Sequence, residues 1–204
     1  EKSVTFSLLS SPASLDPATT TDGHSLMVET QLFSMLVESK GGTSSEIKPD
    51  IAESWEISED GLTYTFKLRD DVYFHNGKLL TADDVVYTFN RVMTEPYTSY
   101  YAAPIKSVEA TDEHTFVAHL NYPFADFLTL VGGIYFGICC EEAITAGSDF
   151  MYKPVGTGPY KLEGGYIPGQ AFKFVYNDQY YGAEPDIKEI NFKIQPDTNT
   201  AVIS

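Results

Sequence analysis

The stretch Arg69–Arg91, "RDDVYFHNGKLLTADDVVYTFNR", carries Asp70, Asp71, His75, Asp83 and Asp84 within fifteen residues. Four carboxylates and an imidazole this close together suit either a metal or acid–base site, or the ends of secondary-structure elements. The pattern favours the second. Asp70 and Asp71 are neighbours closing an alternating run, "LTYTFKLR", so their side chains leave a strand on opposite faces. His75-Asn76-Gly77 reads as a tight turn. Thr81 stands where a helix N-cap belongs, before a face of Val85, Phe89, Val92 and Met93. Asp83 and Asp84 then fall in the first turn, where carboxylates satisfy free N–H groups and favour the positive end of the helix dipole. Each charge has a structural task, so no metal site and no catalytic carboxylate is expected here.

Working outward, Asp60-Gly61 separates "SWEIS" from "LTYTFKLR" and predicts a hairpin. "IKSVEATDEHTFVAHL" (Ile105–Leu120) predicts a second one, turning at Asp112-Glu113. A short helix over Ala125–Val131 and an apolar strand over Ile134–Ile138 follow, then three late strands in "GPYKLEGGY", "AFKFVYN" and "KEINFKIQP". Before the first hairpin, Ser3–Ser10 alternates as a strand and "SPASLDPATTTDG" is a loop. Val28, Leu32, Met35 and Leu36 predict a helix over Ser25–Val37, and Gly41–Ser45 a turn. The class is α/β with more strand than helix.

Composition narrows the function. The chain has 204 residues, 43% hydrophobic and 14% aromatic, and a formal charge of −16. That charge repels nucleic-acid phosphates, and no basic stripe reverses it locally. No run of about 18 apolar residues is present to span a bilayer as a helix. The opening "EKSVTFSLLS" has no basic and apolar leader, so a signal peptide is expected to have been removed or never present. Cys139 and Cys140 are adjacent, a spacing that strains a disulfide, and are expected to be reduced and buried. Pro154–Gly165, "PVGTGPYKLEGG", lacks the Lys-Ser/Thr of a phosphate loop and reads as a turn entering a strand. No Gly-x-Ser-x-Gly elbow occurs, and His24, His75, His114 and His119 are scattered, so an enzyme is not expected.

The run Asp60–Gly77, followed by "TADDVVYT", closely resembles the signature of the solute-binding proteins of the peptide/nickel class, which deliver ligands to ABC importers. "SLDP" (Ser14–Pro17), "IKPDIAESWEIS", "PVGTGPY" and "INFKIQPDTNTAVIS" resemble further pieces of that family, in its order. The resemblance implies a clamshell protein with two lobes, no cofactor, and no chemistry of its own. It implies a periplasmic-binding-protein type II-like lobe with a mixed β-sheet and an extra β-rich subdomain. The lobe core is expected over about 1–40 and 155–204 and the inserted subdomain over about 45–150, with the second lobe beyond this chain.

The implied ligand is an oligopeptide or dipeptide. Nickel chelates, haem and oligosaccharides are alternatives within the family, and a peptide-sensing or chaperone-like receptor is another. Implied partners are the permease subunits, and the protein is expected to be an extracytoplasmic monomer, held at a membrane only by a lipid anchor outside this chain. In oligopeptide binders of the family the segment after "LDP" pairs with the peptide backbone; here that is Thr21-Asp22-Gly23. The same residues could simply feed the next helix, with Asp22 or Ser25 as its cap. "EPYTSYY" (Glu95–Tyr101) resembles the stretch that places an aromatic ring in the cleft, with Tyr97 the best match and Tyr100 and Tyr101 beside it. These rings could instead pack beneath the subdomain, Tyr101 above all.

Overall fold

A computed structural model describes residues 2–39, 46–147 and 149–196. The predicted turn at Gly41–Ser45 and the final stretch 197–204 lie outside the described residues. Strands β1 (Ser3–Leu8), β8 (Tyr160–Leu162), β9 (Phe172–Tyr176) and β10 (Glu189–Ile194) form one sheet, ordered β1-β10-β9-β8. It is mixed, because β1 runs parallel to β10 while β9 is antiparallel to both β10 and β8. A second, antiparallel sheet is ordered β4-β5-β7-β6, from β4 (Ala52–Ile57), β5 (Thr63–Leu68), β6 (Ile105–Asp112) and β7 (Thr115–Leu120). Strands β2 (Val37–Ser39) and β3 (Ile47–Pro49) pair as a small ribbon. The helices are α1 (Gly23–Glu29), α2 (Ala82–Thr94), α3 (Phe127–Val131) and α4 (Glu141–Thr145).

Both hairpins form where turn chemistry placed them. Gly61 adopts φ +68°, a backbone conformation that glycine adopts without penalty, and the Asp60 carboxylate accepts from the Leu62 N–H. Asp112 accepts from the His114 N–H in the same way. Alternation along β5 buries Tyr64, Phe66 and Leu68. The α2 stripe buries Val85, Phe89 and Val92 against them, with Phe89 packed 4.7 Å from Phe116 across the sheet. The apolar residues thus divide into two clusters, one around Phe66 and Phe89 and one around Phe172, Phe174 and Phe192.

Helix α2 starts as its sequence requires. Thr81 is the N-cap, and the Asp84 carboxylate reaches back to the Thr81 N–H at 3.1 Å. Asp84 is also buried against Lys78, at 2.8 Å, so it joins this helix to the preceding turn. Replacing Thr81 by alanine is expected to lower the unfolding free energy by about 1 kcal/mol without changing the fold. Urea denaturation checks this, and an unchanged midpoint would mean the cap carries no weight.

Two predicted elements differ. The helix expected over Ser25–Val37 stops at Glu29, with Thr30 as its C-cap. Continuing it would require the Gln31 and Leu32 carbonyls to accept from the N–H groups four residues on. Those carbonyls instead accept from Tyr160 (3.1 Å) and Gly158 (2.9 Å), and the Met35 N–H donates to Asp50. Leu32 and Leu36 remain buried, so the apolar spacing was genuine while the backbone was claimed from elsewhere. The strand expected over Ile134–Ile138 is instead a single 3-10 turn, Ile134–Phe136. It is framed by Gly132, Gly133 and Gly137, and among the described residues only the Ile138 N–H of this run bonds outward, to Ser34. This run lies between the two apolar clusters, and burial on all sides removes the periodicity that separates strand from helix.

Candidate ligand-binding face

The charged stretch that opened the sequence resolves into structural contacts. Asp71 binds Arg69 through two bonds of 2.8 Å, and Asp70 and Asp83 are exposed. His75 tethers its turn to the Gly156–Tyr160 segment. Its Nδ1 accepts from the Gly156 N–H (3.3 Å), and its Nε2–H donates to the Gly158 carbonyl (3.2 Å). Withdrawal from water holds this imidazole down at about 4, so it is neutral in that role at pH 7. Among the described residues, no three His, Cys, Asp or Glu side chains converge as a metal site would need.

The loop between β1 and α1 is built from its own polar side chains. Asp22 is the N-cap of α1: its carboxylate accepts from the His24 (3.1 Å) and Ser25 (3.0 Å) N–H groups and from the Ser25 hydroxyl (2.6 Å). Burial alone would raise this acid, but those bonds and one from the Ala13 N–H outweigh it and hold it below its ordinary value. The capping reading of Asp22 is therefore correct for its side chain. The backbone is a separate matter. Asp22 is extended (φ −127°, ψ 153°), Thr21 and Gly23 are exposed, and the Thr21 N–H and C=O have no partner among the described residues. The free backbone groups of Thr21 face solvent, while the Asp22 carbonyl accepts from the Leu26 N–H at 3.1 Å and Gly23 begins α1.

Two long-range contacts hold this loop against the second sheet's layer. Asp16, 5% exposed, receives both guanidinium nitrogens of Arg91, at 3.0 and 2.7 Å. The Thr98 hydroxyl donates to the Ala18 carbonyl at 3.2 Å. Thr98 is the neighbour of Tyr97, so the contact brings the aromatic segment to the loop. Tyr97 and Tyr100 are 61% and 65% exposed, and the Tyr100 ring packs on that of Tyr101 with centroids 3.9 Å apart. Tyr101 is half-buried and stacks on Tyr135 with centroids 4.4 Å apart, so its ring packs against the larger cluster. Sequence reasoning missed Arg91 and Thr98 because their partners lie 75 and 80 residues away.

A concavity of about 270 Å³ lies elsewhere, beside edge strand β1, lined by Val4, Phe6, Met27, Tyr160, Ile190 and Phe192. Its lining offers apolar surface and no charged group to anchor a ligand terminus.

A mixed sheet carrying an antiparallel β-rich unit, with a capped loop and exposed tyrosines at their junction, defines a lobe of a type II periplasmic binding protein. The family model "Bacterial extracellular solute-binding proteins, family 5 Middle" matches residues 46–204, and the chain belongs to that family. It is 35% identical to the heme-binding protein A of Haemophilus influenzae over 93% of this chain and 39% of that protein. It is 32% identical to the dipeptide-binding protein of Escherichia coli over 97% of this chain and 42% of that protein. The periplasmic binding protein DppA of Helicobacter pylori, solved with the peptide STSA, superposes with a TM-score of 0.87 at 31% identity, over 98% of this chain and 44% of that one. The chain thus spans about two fifths of the length of the curated relatives it matches.

Proposed function

We propose that this chain is one lobe of the extracytoplasmic substrate-binding component of an ABC importer, a non-enzymatic receptor that captures dipeptides or oligopeptides for the permease. The observation that carries this reading is the exposed Thr21 backbone, unpartnered among the described residues and followed by the extended Asp22, in a loop that the Thr98–Ala18 bond ties to the segment of the exposed Tyr97. Backbone pairing gives affinity without reading side chains, which suits a sequence-tolerant importer, and an exposed ring adds apolar contact. The relatives named for dipeptide binding and the peptide-bound neighbour support it. The lobe core would be about 1–40 and 155–204, with the β-rich unit of about 45–150 inserted into it, consistent with the two apolar clusters. The receptor would be a monomer, held at the membrane by a lipid anchor outside these residues. Haem is a second reading, favoured by the Haemophilus influenzae relative and by the exposed ring of Tyr97, which could lie on a flat macrocycle.

A clamshell gains affinity by burying its ligand between two walls, because desolvation strengthens each polar contact. This chain alone offers one solvated wall, where Thr21 and Tyr97 compete with water. It should therefore bind a mixed di- and tripeptide pool no tighter than roughly millimolar, about −4 kcal/mol, and the full-length receptor should bind in the micromolar range or better. Calorimetric titration of both decides this. A full-length receptor that binds haem and ignores peptides would select the second reading, and equal affinity for the two chains would refute the clamshell.

A further inference from the structure

Helix α1 ends on Glu29, a carboxylic acid that is fully buried. Among the described residues no cation pairs with it, and Arg91 is committed to both oxygens of Asp16. One oxygen, Oε1, meets the Thr20 hydroxyl, while Oε2 is buried with no hydrogen-bond partner. Thr20 Oγ1 also lies 3.0 Å from the Asp16 carbonyl oxygen, which can only accept. A hydroxyl has one hydrogen. With that hydrogen on the Asp16 carbonyl, the contact between Thr20 and Glu29 needs another, and only a protonated Glu29 carboxyl supplies it. The result is a directed chain: Glu29 O–H to Thr20 O–H to the Asp16 carbonyl.

We propose that Glu29 is a positioning residue that keeps a proton, donates it to Thr20 and so holds the Asp16–Gly23 loop in place, and that loss of this proton releases the loop. Its bearing on ligand capture rests on the reading of Thr21–Gly23 given above. The charged and titratable groups around Glu29 agree with this. Asp16 and Asp22 face it from the loop and disfavour a third negative charge. Arg91, from α2, is paired with Asp16. The buried Cys139 thiol, from the segment after the 3-10 turn, is itself pushed upward by burial and stays neutral. Burial first, with repulsion from Asp16 and Asp22 added, outweighs what the Thr20 hydroxyl could offer an ionised carboxylate and raises Glu29 from an ordinary 4.5 to about 8. The sign follows. The folded chain keeps a proton that the unfolded chain releases, so stability is highest at or below pH 4.5 and falls as pH rises to about 8. Above that the anion itself is forced into the site, and the loop must open to hydrate it.

The test uses this chain between about pH 6 and 9.5, with carbon NMR of the Glu29 carboxyl and amide hydrogen exchange at Ala18 and Thr19. Both amides donate to Asp16 in the ordered loop. Glu29 should titrate near 8. Protection, corrected for intrinsic exchange, should fall by about tenfold per pH unit up to that midpoint and level off above it. In Glu29→Gln, whose amide donates to Thr20 without a charge to gain, protection should stay flat. Titration of Glu29 near 4.5, or parallel loss of protection in both proteins, would overturn the proposal. If Glu29→Gln does not fold, the carboxyl titration of the unsubstituted chain decides alone. In the full-length receptor, peptide affinity should weaken between pH 7 and 9 only with Glu29 present. Absence of peptide binding at every pH would remove the peptide reading and leave the NMR result to judge Glu29.

Discussion

Replacing Arg91 by methionine is expected to lower the unfolding free energy by about 3–5 kcal/mol, the range for breaking a buried ion pair from one side. The pair joins the C-terminal half of α2 to the loop after β1, with side chains only 15% and 7% exposed. Removing the guanidinium takes away both bonds to Asp16 and leaves its carboxylate without a counter-charge or access to water. Lysine should not restore it, because one ammonium cannot match two parallel donors in a fixed fork. Removing both charges, in Arg91→Met with Asp16→Asn, should recover a large part of the loss, since no charge then stays buried alone. Denaturant titration of the two single variants and the double variant measures this coupling. A loss below about 1 kcal/mol for Arg91→Met would show that the pair behaves as a solvated surface contact.

The second large effect is expected at Gly156. A Cβ there would lie 2.1 Å from the Leu32 carbonyl oxygen and 2.7 Å from Cδ1 of Phe33. Leu32 and Phe33 are buried, and the Leu32 carbonyl already accepts from Gly158, so the segment cannot move aside cheaply. Overpacking in a close-packed interior costs about 1–3 kcal/mol and more when backbone must shift, so Gly156→Ala should reach at least the upper end. Gly23 supplies the control. A Cβ there would meet nothing within 4 Å, so Gly23→Ala should stay within about 0.5 kcal/mol of the unsubstituted chain. Thermal melts of the two variants separate them, and equal midpoints would refute the close approach as the reason for Gly156.

That close approach also shows where sequence reasoning reached its limit. The "GTGPY" segment is legible as a turn into a strand, and the strand begins at Tyr160 as expected. What could not be read is that the turn seats on Gln31 and Leu32, over a hundred residues earlier, and ends α1 by taking its carbonyls. The candidate site divides in the same way. Asp22 as a helix cap follows from local residue types, whereas Tyr97 and Tyr100 are singled out only by the resemblance to the family. The half-buried stack of Tyr101 on Tyr135 depends on a segment distant in the chain.

By itself, the sequence determined strands β1 and β4–β10, the two hairpins and the start of α2. These rest on alternation, turn residues and capping, which act within a few residues and are therefore written locally. The tertiary structure alone decided where α1 ends, that Ile134–Phe136 coils instead of extending, and that Asp16 meets Arg91. It also decided that Glu29 keeps a proton, because protonation depends on burial and on the carboxylates that folding brings beside it. Backbone carbonyls, counter-charges and water are shared among distant segments, and which segment claims them is settled only when the chain packs.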